Sequence, residues 1–182
     1  MHFRRMSPSC HTDVSLALNE DRAPFTPTLW KITEDNQKTR MKQVWFCGAH
    51  ASVGGSDVSH GLSDITLAWM VQQLSNYTKL EFDIRYLLDS RKTFSPNQMK
   101  TPWGTEAWTD PYKGIWRFSG YKLRTPGKYV TSKDPKDVRT NEFVHKSVLT
   151  RINDLGAKYS HPSIAGLNED EFGALEQQLS WK

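Results

Sequence analysis

The stretch VWFCGAHASVGGSDVSHGLSDITLAWM, Val44 to Met70, constrains the fold of this chain more than any other. It opens on an apolar run, Gln43 to Ala49, in which Val, Trp, Phe and Cys follow one another without polar alternation. A strand covered on both faces reads this way, and such strands belong to parallel sheets with helices on either side. Gly48 and the Gly54-Gly55 pair punctuate its end. A helix is then expected from Ser63, an N-cap residue, with Asp64 on the positive end of the helix dipole and Leu62 and Leu67 as a hydrophobic staple. Ile65, Leu67, Ala68, Trp69, Met70, Val71 and Leu74 wrap much of its circumference, which predicts a buried helix. Strand, glycine turn and buried helix define an α/β layout.

The flanking segments are less regular. Residues 1–12 carry no periodicity and read as a disordered N-terminus. Asp13 to Arg22 fits a short helix, but Val14, Leu16 and Leu18 also suit a strand, and periodicity alone does not choose. The prolines at 24 and 27 impose an extended path, and a polar loop follows. Leu80 to Ser90 reads as a second helix. Residues 91–140 read as long loops with short strands, one of them at IWRFSGYKL. Asn141 to Asp154 reads as a last helix, and residues 168–182 as an acidic tail. No internal repeat occurs.

Composition narrows the class of function. The 182 residues carry a net charge of +4 from 24 basic and 20 acidic side chains, which are interspersed, so no nucleic-acid partner is expected. A mean hydropathy of −0.65 with seven Trp fits a globular core followed by polar loops. YKLRTPGKY, the most basic stretch, reads as a solvated loop. Two cysteines, Cys10 and Cys47, make no disulfide framework, and Cys47 within an apolar strand reads as a small buried hydrophobe. The basic N-terminus has no apolar core behind it, and no run suits a membrane span, so a cytoplasmic protein without a transmembrane segment is expected.

Sites in open α/β sheets gather at the carboxyl ends of strands, and His50 falls on such an end. Glycines beside it let backbone approach closely and leave the imidazole uncovered, an arrangement suited to general acid/base catalysis. Asp13, Asp57 and Asp64 are all open as its orienting carboxylate. Ser52 in HASVG echoes a nucleophile elbow, G-x-S-x-G, but His50 stands where the first Gly belongs and the helix starts late. No intact G-x-S-x-G occurs in the chain. His50 and His60 lack clustered ligands, so neither a metal site nor a cofactor is expected.

Four segments in order, LALNEDRAPFTPTLW, KQVWFCGAHASVGGS, GLSDITLAWM and FVHKSVLTR, resemble the C-terminal half of the type VI secretion phospholipase effector-like catalytic domain, and RTPGKY fits as well. The resemblance runs from about Val14 to Leu167. It implies a partial α/β-hydrolase fold over residues 13–167, built of the late strands and helices of a mostly parallel sheet, with a long loop-rich C-terminal part. It also implies a serine hydrolase acting on lipid or other ester substrates, in which His50 is the last member of a Ser-Asp-His triad and Gly48, Gly54 and Gly55 support the motif. The family's nucleophile, in G-x-S-R-G, and its acid, after an Asp-Thr-Val type motif, have no counterpart in this sequence. Its H-x-D-V-G-G-G reads HASVGGS here, with Ser52 for Asp and Ser56 for Gly, and its LALDE reads LALNE, with Asn19 for Asp. The expectation is a truncated hydrolase, inactive alone. The other expectation is a non-catalytic interaction or regulatory protein that pairs an exposed strand edge with another chain.

Overall fold

The computed structural model describes residues 4–5, 11–32, 39–57, 59–92, 104–106, 110–128 and 140–164. Its centre is a three-stranded parallel sheet made of β2 (His11–Ala17), β4 (Arg40–Phe46) and β5 (Glu142–Val144), in the order β2-β4-β5. Val14 lies opposite Gln43 across the first pair, and Trp45 opposite Val144 across the second. A separate parallel pair joins β1 (Arg4–Arg5) to β3 (Trp30–Lys31). The helices are α1 (His50–Gly54), α2 (Gly61–Tyr77), α3 (Arg85–Lys92) and α4 (Lys146–Leu155). The partial α/β fold expected from the sequence is the one observed.

The central strand shows why its sequence lacks alternation. Trp45 and Cys47 pack on one side with Leu16, Leu18, Leu29, Val144, Val148 and Tyr159. Val44 and Phe46 pack on the other with Val53, Ile65 and Trp69. Both faces are therefore covered, by α4 on one side and α2 on the other, and every position from Val44 to Phe46 is buried. Full burial of each such side chain contributes about 1.5–3 kcal/mol.

Several local expectations are corrected. The segment from Asp13 takes the strand alternative, and that strand begins at His11. Helix α2 starts two residues before Ser63, with His60 at the N-cap. Ser63 instead donates its hydroxyl to the His60 carbonyl at 3.0 Å. The cap comes from far along the chain, where the buried Glu106 carboxylate accepts from the Leu62 amide and the Ser59 hydroxyl. A carboxylate at this end meets both the unpaired amides and the positive end of the dipole. Leu67, expected in a buried staple, is exposed. The second helix begins at Arg85, five residues later than read.

The alternating stretch at IWRFSGYKL is not a strand. Residues Gly114–Ser119 form a 3-10 helix between two glycines at positive φ, Gly114 at 60° and Gly120 at 84°. Asn141 to Val144 carries β5 before α4 begins, so a strand precedes the expected last helix. The acidic tail, 168–182, lies outside the described residues, as do Cys10, Trp103 and Trp108. Among the described residues no helix is long and apolar enough to cross a membrane.

Candidate active site

Strand β4 delivers the chain to Cys47, Gly48 and Ala49, and His50 opens α1 directly afterwards. Gly48 makes the turn possible. Its φ is +105°, and a Cβ there would lie 2.6 Å from the Ser52 Cβ. Its amide donates to Asn19 Oδ1 at 2.7 Å, which joins the end of β4 to the end of β2. Gly55, at φ +91°, closes α1 as its C-cap, while Gly54 faces open space.

The end of β2 supplies the partner that sequence reasoning missed. His50 Nδ1 lies 2.6 Å from Glu20 Oε2, and the His50 amide lies 3.4 Å from the same oxygen. Glu20 is buried, whereas the His50 side chain is half exposed. Arg22 grips the carboxylate from the other side, with Nε 2.8 Å from Oε1 and Nη2 2.9 Å from Oε2. Burial alone would raise the Glu20 pKa. Hydrogen bonds from Arg22 and His50, with the Arg22 charge, outweigh it and hold the group down at about 2. Glu20 is thus a fixed anion aimed at an imidazole.

Arg22 Nη2 also lies 3.1 Å from His50 Nδ1. One ring nitrogen cannot both donate to a carboxylate and accept from a guanidinium. The shorter, charge-assisted contact to Glu20 assigns the proton to Nδ1. Nε2 is then the nitrogen able to exchange a proton with a substrate. Phe25 stacks on the imidazole, with ring centroids 4.7 Å apart and planes 10° from parallel, and fixes the plane of the ring.

The carboxylate beside His50 is none of the three suggested by sequence. Asp13 pairs with His11 at 2.7 Å, Asp57 accepts from Ser52 at 2.5 Å, and Asp64 is buried in the first turn of α2. Ser52 is buried on α1, with its hydroxyl engaged by Asp57. The structure therefore brings His50 together with Glu20, Arg22 and Phe25, and Ser52 with Asp57. Glu20 and Arg22 both lie in LALNEDR, the segment that runs on from the end of β2.

A cavity of about 320 Å³ lies beside this cluster, lined by Arg22, Ala49, Ala51, Asp57, Asp110, Pro111, Lys113 and Trp116. Two buried groups stand apart from it. Cys47 is pushed up to about 11 by burial, and the Tyr159 hydroxyl bonds both Cys47 and Asn19. Among the described residues no cluster of His, Cys, Asp and Glu is arranged to hold a metal ion.

An ionised carboxylate behind a half-exposed histidine, at the end of a parallel strand, is an arrangement able to hold and pass a proton. Residues 3–73 match the catalytic domain of the Tle1-like phospholipase effectors of type VI secretion, the family named from the sequence. The match covers the N-terminal part of this chain, from before β2 to within α2, and includes Glu20, Arg22 and His50. The similarity is thus confined to less than half of the chain, lies in its N-terminal part, and does not extend to Leu167 or assign a C-terminal half of that domain. No curated protein and no solved structure matches the chain.

Proposed function

We propose that this chain carries the histidine and carboxylate part of a serine ester hydrolase, with a phospholipid or related lipid ester as substrate. The observation that supports it is the 2.6 Å contact between His50 Nδ1 and Glu20 Oε2 beside an open cavity. In this reading His50 Nε2 takes the proton from a serine hydroxyl as its oxygen attacks the ester carbonyl. Glu20 stabilises the imidazolium, and Arg22 keeps Glu20 ionised and in place. The imidazolium then protonates the leaving alkoxide, and the same steps with water release the acyl group. Glu20 thereby takes the part of the triad acid. Residues 13–167 form the hydrolase-like domain in this reading.

The serine comes from outside this sequence, in the G-x-S-R-G elbow of the family, so the chain alone is inactive. Hydrolysis of a short-chain p-nitrophenyl ester tests both statements. The purified chain should stay at background. Joined behind the elbow-bearing segment of a Tle1-like catalytic domain, it should hydrolyse the ester, and His50→Ala should lower that rate about 10³-fold or more. Turnover by the chain alone that disappears in Ser52→Ala would move the nucleophile to Ser52 and contradict the reading. One observation favours the non-catalytic alternative: β5 pairs on one side only among the described residues, which leaves an edge for another chain.

A further inference from the structure

The surface beside His50 combines exposed apolar side chains with cations in a way the catalytic reading does not use. In the 3-10 helix Gly114–Ser119, Ile115 is 79% exposed and Phe118 is 93% exposed. Trp116 and Tyr121 flank them and are also exposed, as is Phe25. Lys113, Arg117, Lys122 and Lys128 stand among them, all exposed. From Pro111 to Lys133 the sequence has no acidic residue.

This exposure is built in. The Tyr112 hydroxyl donates to the Arg117 carbonyl at 3.0 Å, and the Ser119 hydroxyl to the Trp116 carbonyl at 2.6 Å. The segment is also laced to the residues after Glu20. The Ala23 amide donates to the Gly120 carbonyl at 2.9 Å, and the Lys122 amide to the Asp21 carbonyl at 2.8 Å. Arg124 is fully buried and donates to the Arg22 carbonyl at 3.1 Å. Holding Ile115 and Phe118 in water on a braced turn has no folding benefit, since nothing apolar is gained on that face.

The same surface reaches the site through a run of rings. Trp116 meets Phe25 edge to face at 6.0 Å, and Phe25 stacks on His50. The Arg22 guanidinium lies over both Phe25 and Trp116, at 4.1 and 4.7 Å from their centroids. Trp116 also lines the cavity next to His50.

We propose that residues 113–122, with Phe25, form a docking surface for an anionic lipid bilayer, which seats His50 at the interface. Charge complementarity selects this occupant. Apolar tips ringed by lysine and arginine, with aromatic rings at the margin, match a hydrocarbon layer beneath negative headgroups. Ile115 and Phe118 enter the acyl boundary, while the aliphatic stems of Lys113 and Lys122 lie along it and keep their charges among the phosphates. The inference rests on the lipid-ester reading for the purpose of docking, but docking itself needs no turnover.

Flotation of the purified chain with vesicles separates the possibilities. Equal parts of phosphatidylglycerol and phosphatidylcholine should carry the chain, and phosphatidylcholine alone should carry much less. Ile115→Ser with Phe118→Ser should lower partitioning about tenfold or more without lowering the melting temperature, because both side chains are exposed. Arg117→Ser and Lys122→Ser should each lower it about fivefold and reduce the preference for phosphatidylglycerol.

Equal partitioning of parent and variants, or no partitioning by the folded chain, would overturn the proposal. So would a dimer in sedimentation velocity that the Ile115→Ser, Phe118→Ser chain cannot form, which would make this face a contact between copies. Binding to vesicles by a chain that gives no ester hydrolysis even when joined behind the elbow-bearing segment would contradict the catalytic reading alone. Hydrolysis of a soluble ester by the joined protein, without vesicle binding by the chain, would contradict the docking surface alone.

Discussion

His50 Nδ1 and Glu20 Oε2 stand 2.6 Å apart although thirty residues separate them in the chain. Two parallel strands make the meeting possible. Strand β2 ends three residues before Glu20 and β4 ends four before His50, and adjacent parallel strands deliver both at the same edge of the sheet. The Asn19 side chain fastens the two ends through the Gly48 amide. Asn19 is thus a neutral acceptor at this junction.

Replacing Glu20 should cost stability in a pH-dependent way. Its pKa is lowered from an ordinary 4.5 to about 2, so its contribution is fully present above 4.5 and is lost as the pH falls through about 2. Glu20→Gln leaves the buried Arg22 without its counter-charge and should destabilise the chain by about 3 kcal/mol at neutral pH. Urea denaturation should show the gap between parent and variant narrowing as the pH falls from 4.5 towards 2.

His145 should give a second and distinct acid response. Burial lowers its pKa from 6.5 to about 4, so the folded state holds it neutral, and the stability this provides is full above 6.5 and declines as the pH falls towards about 4. Its Nδ1 accepts from the Ser147 amide at 3.2 Å as the N-cap of α4. Asn is an equally good N-cap without a titrating ring. His145→Asn should therefore flatten the dependence of melting temperature on pH between 6.5 and 4.

Gly48→Ala should be among the most damaging single-methyl changes in the chain. The position combines φ +105° with a Ser52 Cβ 2.6 Å from the added carbon. Strain and overlap together predict a loss of about 3 kcal/mol or more, measurable by urea denaturation. Gly54→Ala, with open space around it, should cost less than about 1 kcal/mol.

The sequence made the central strand, the buried α2 and the place of His50 legible, because unalternating burial and a glycine turn leave local marks. Glu20 left no such mark. A carboxylate in LALNEDR is ordinary until β2 and β4 pair, and the pairing is a long-range event that no local spacing encodes. The cap of α2 was hidden for the same reason, since Glu106 arrives from forty-four residues beyond Leu62. IWRFSGYKL misled in the opposite sense. Its alternation suits a strand, yet Gly114 and Gly120 at positive φ bend it into a 3-10 turn braced by Ser119. Asp57 looked available to His50 from its position, but the short α1 turns Ser52 towards it instead.

The most direct test of the site is the protonation pattern of the His50 ring, read by ¹⁵N nuclear magnetic resonance at a pH where the imidazole is neutral. The parent chain should show the Nδ1-protonated tautomer, and Glu20→Gln a shift towards the Nε2-protonated tautomer. An Nε2-protonated ring in the parent, unchanged by Glu20→Gln, would contradict this, because His50 would then have no carboxylate-held proton and no basic Nε2.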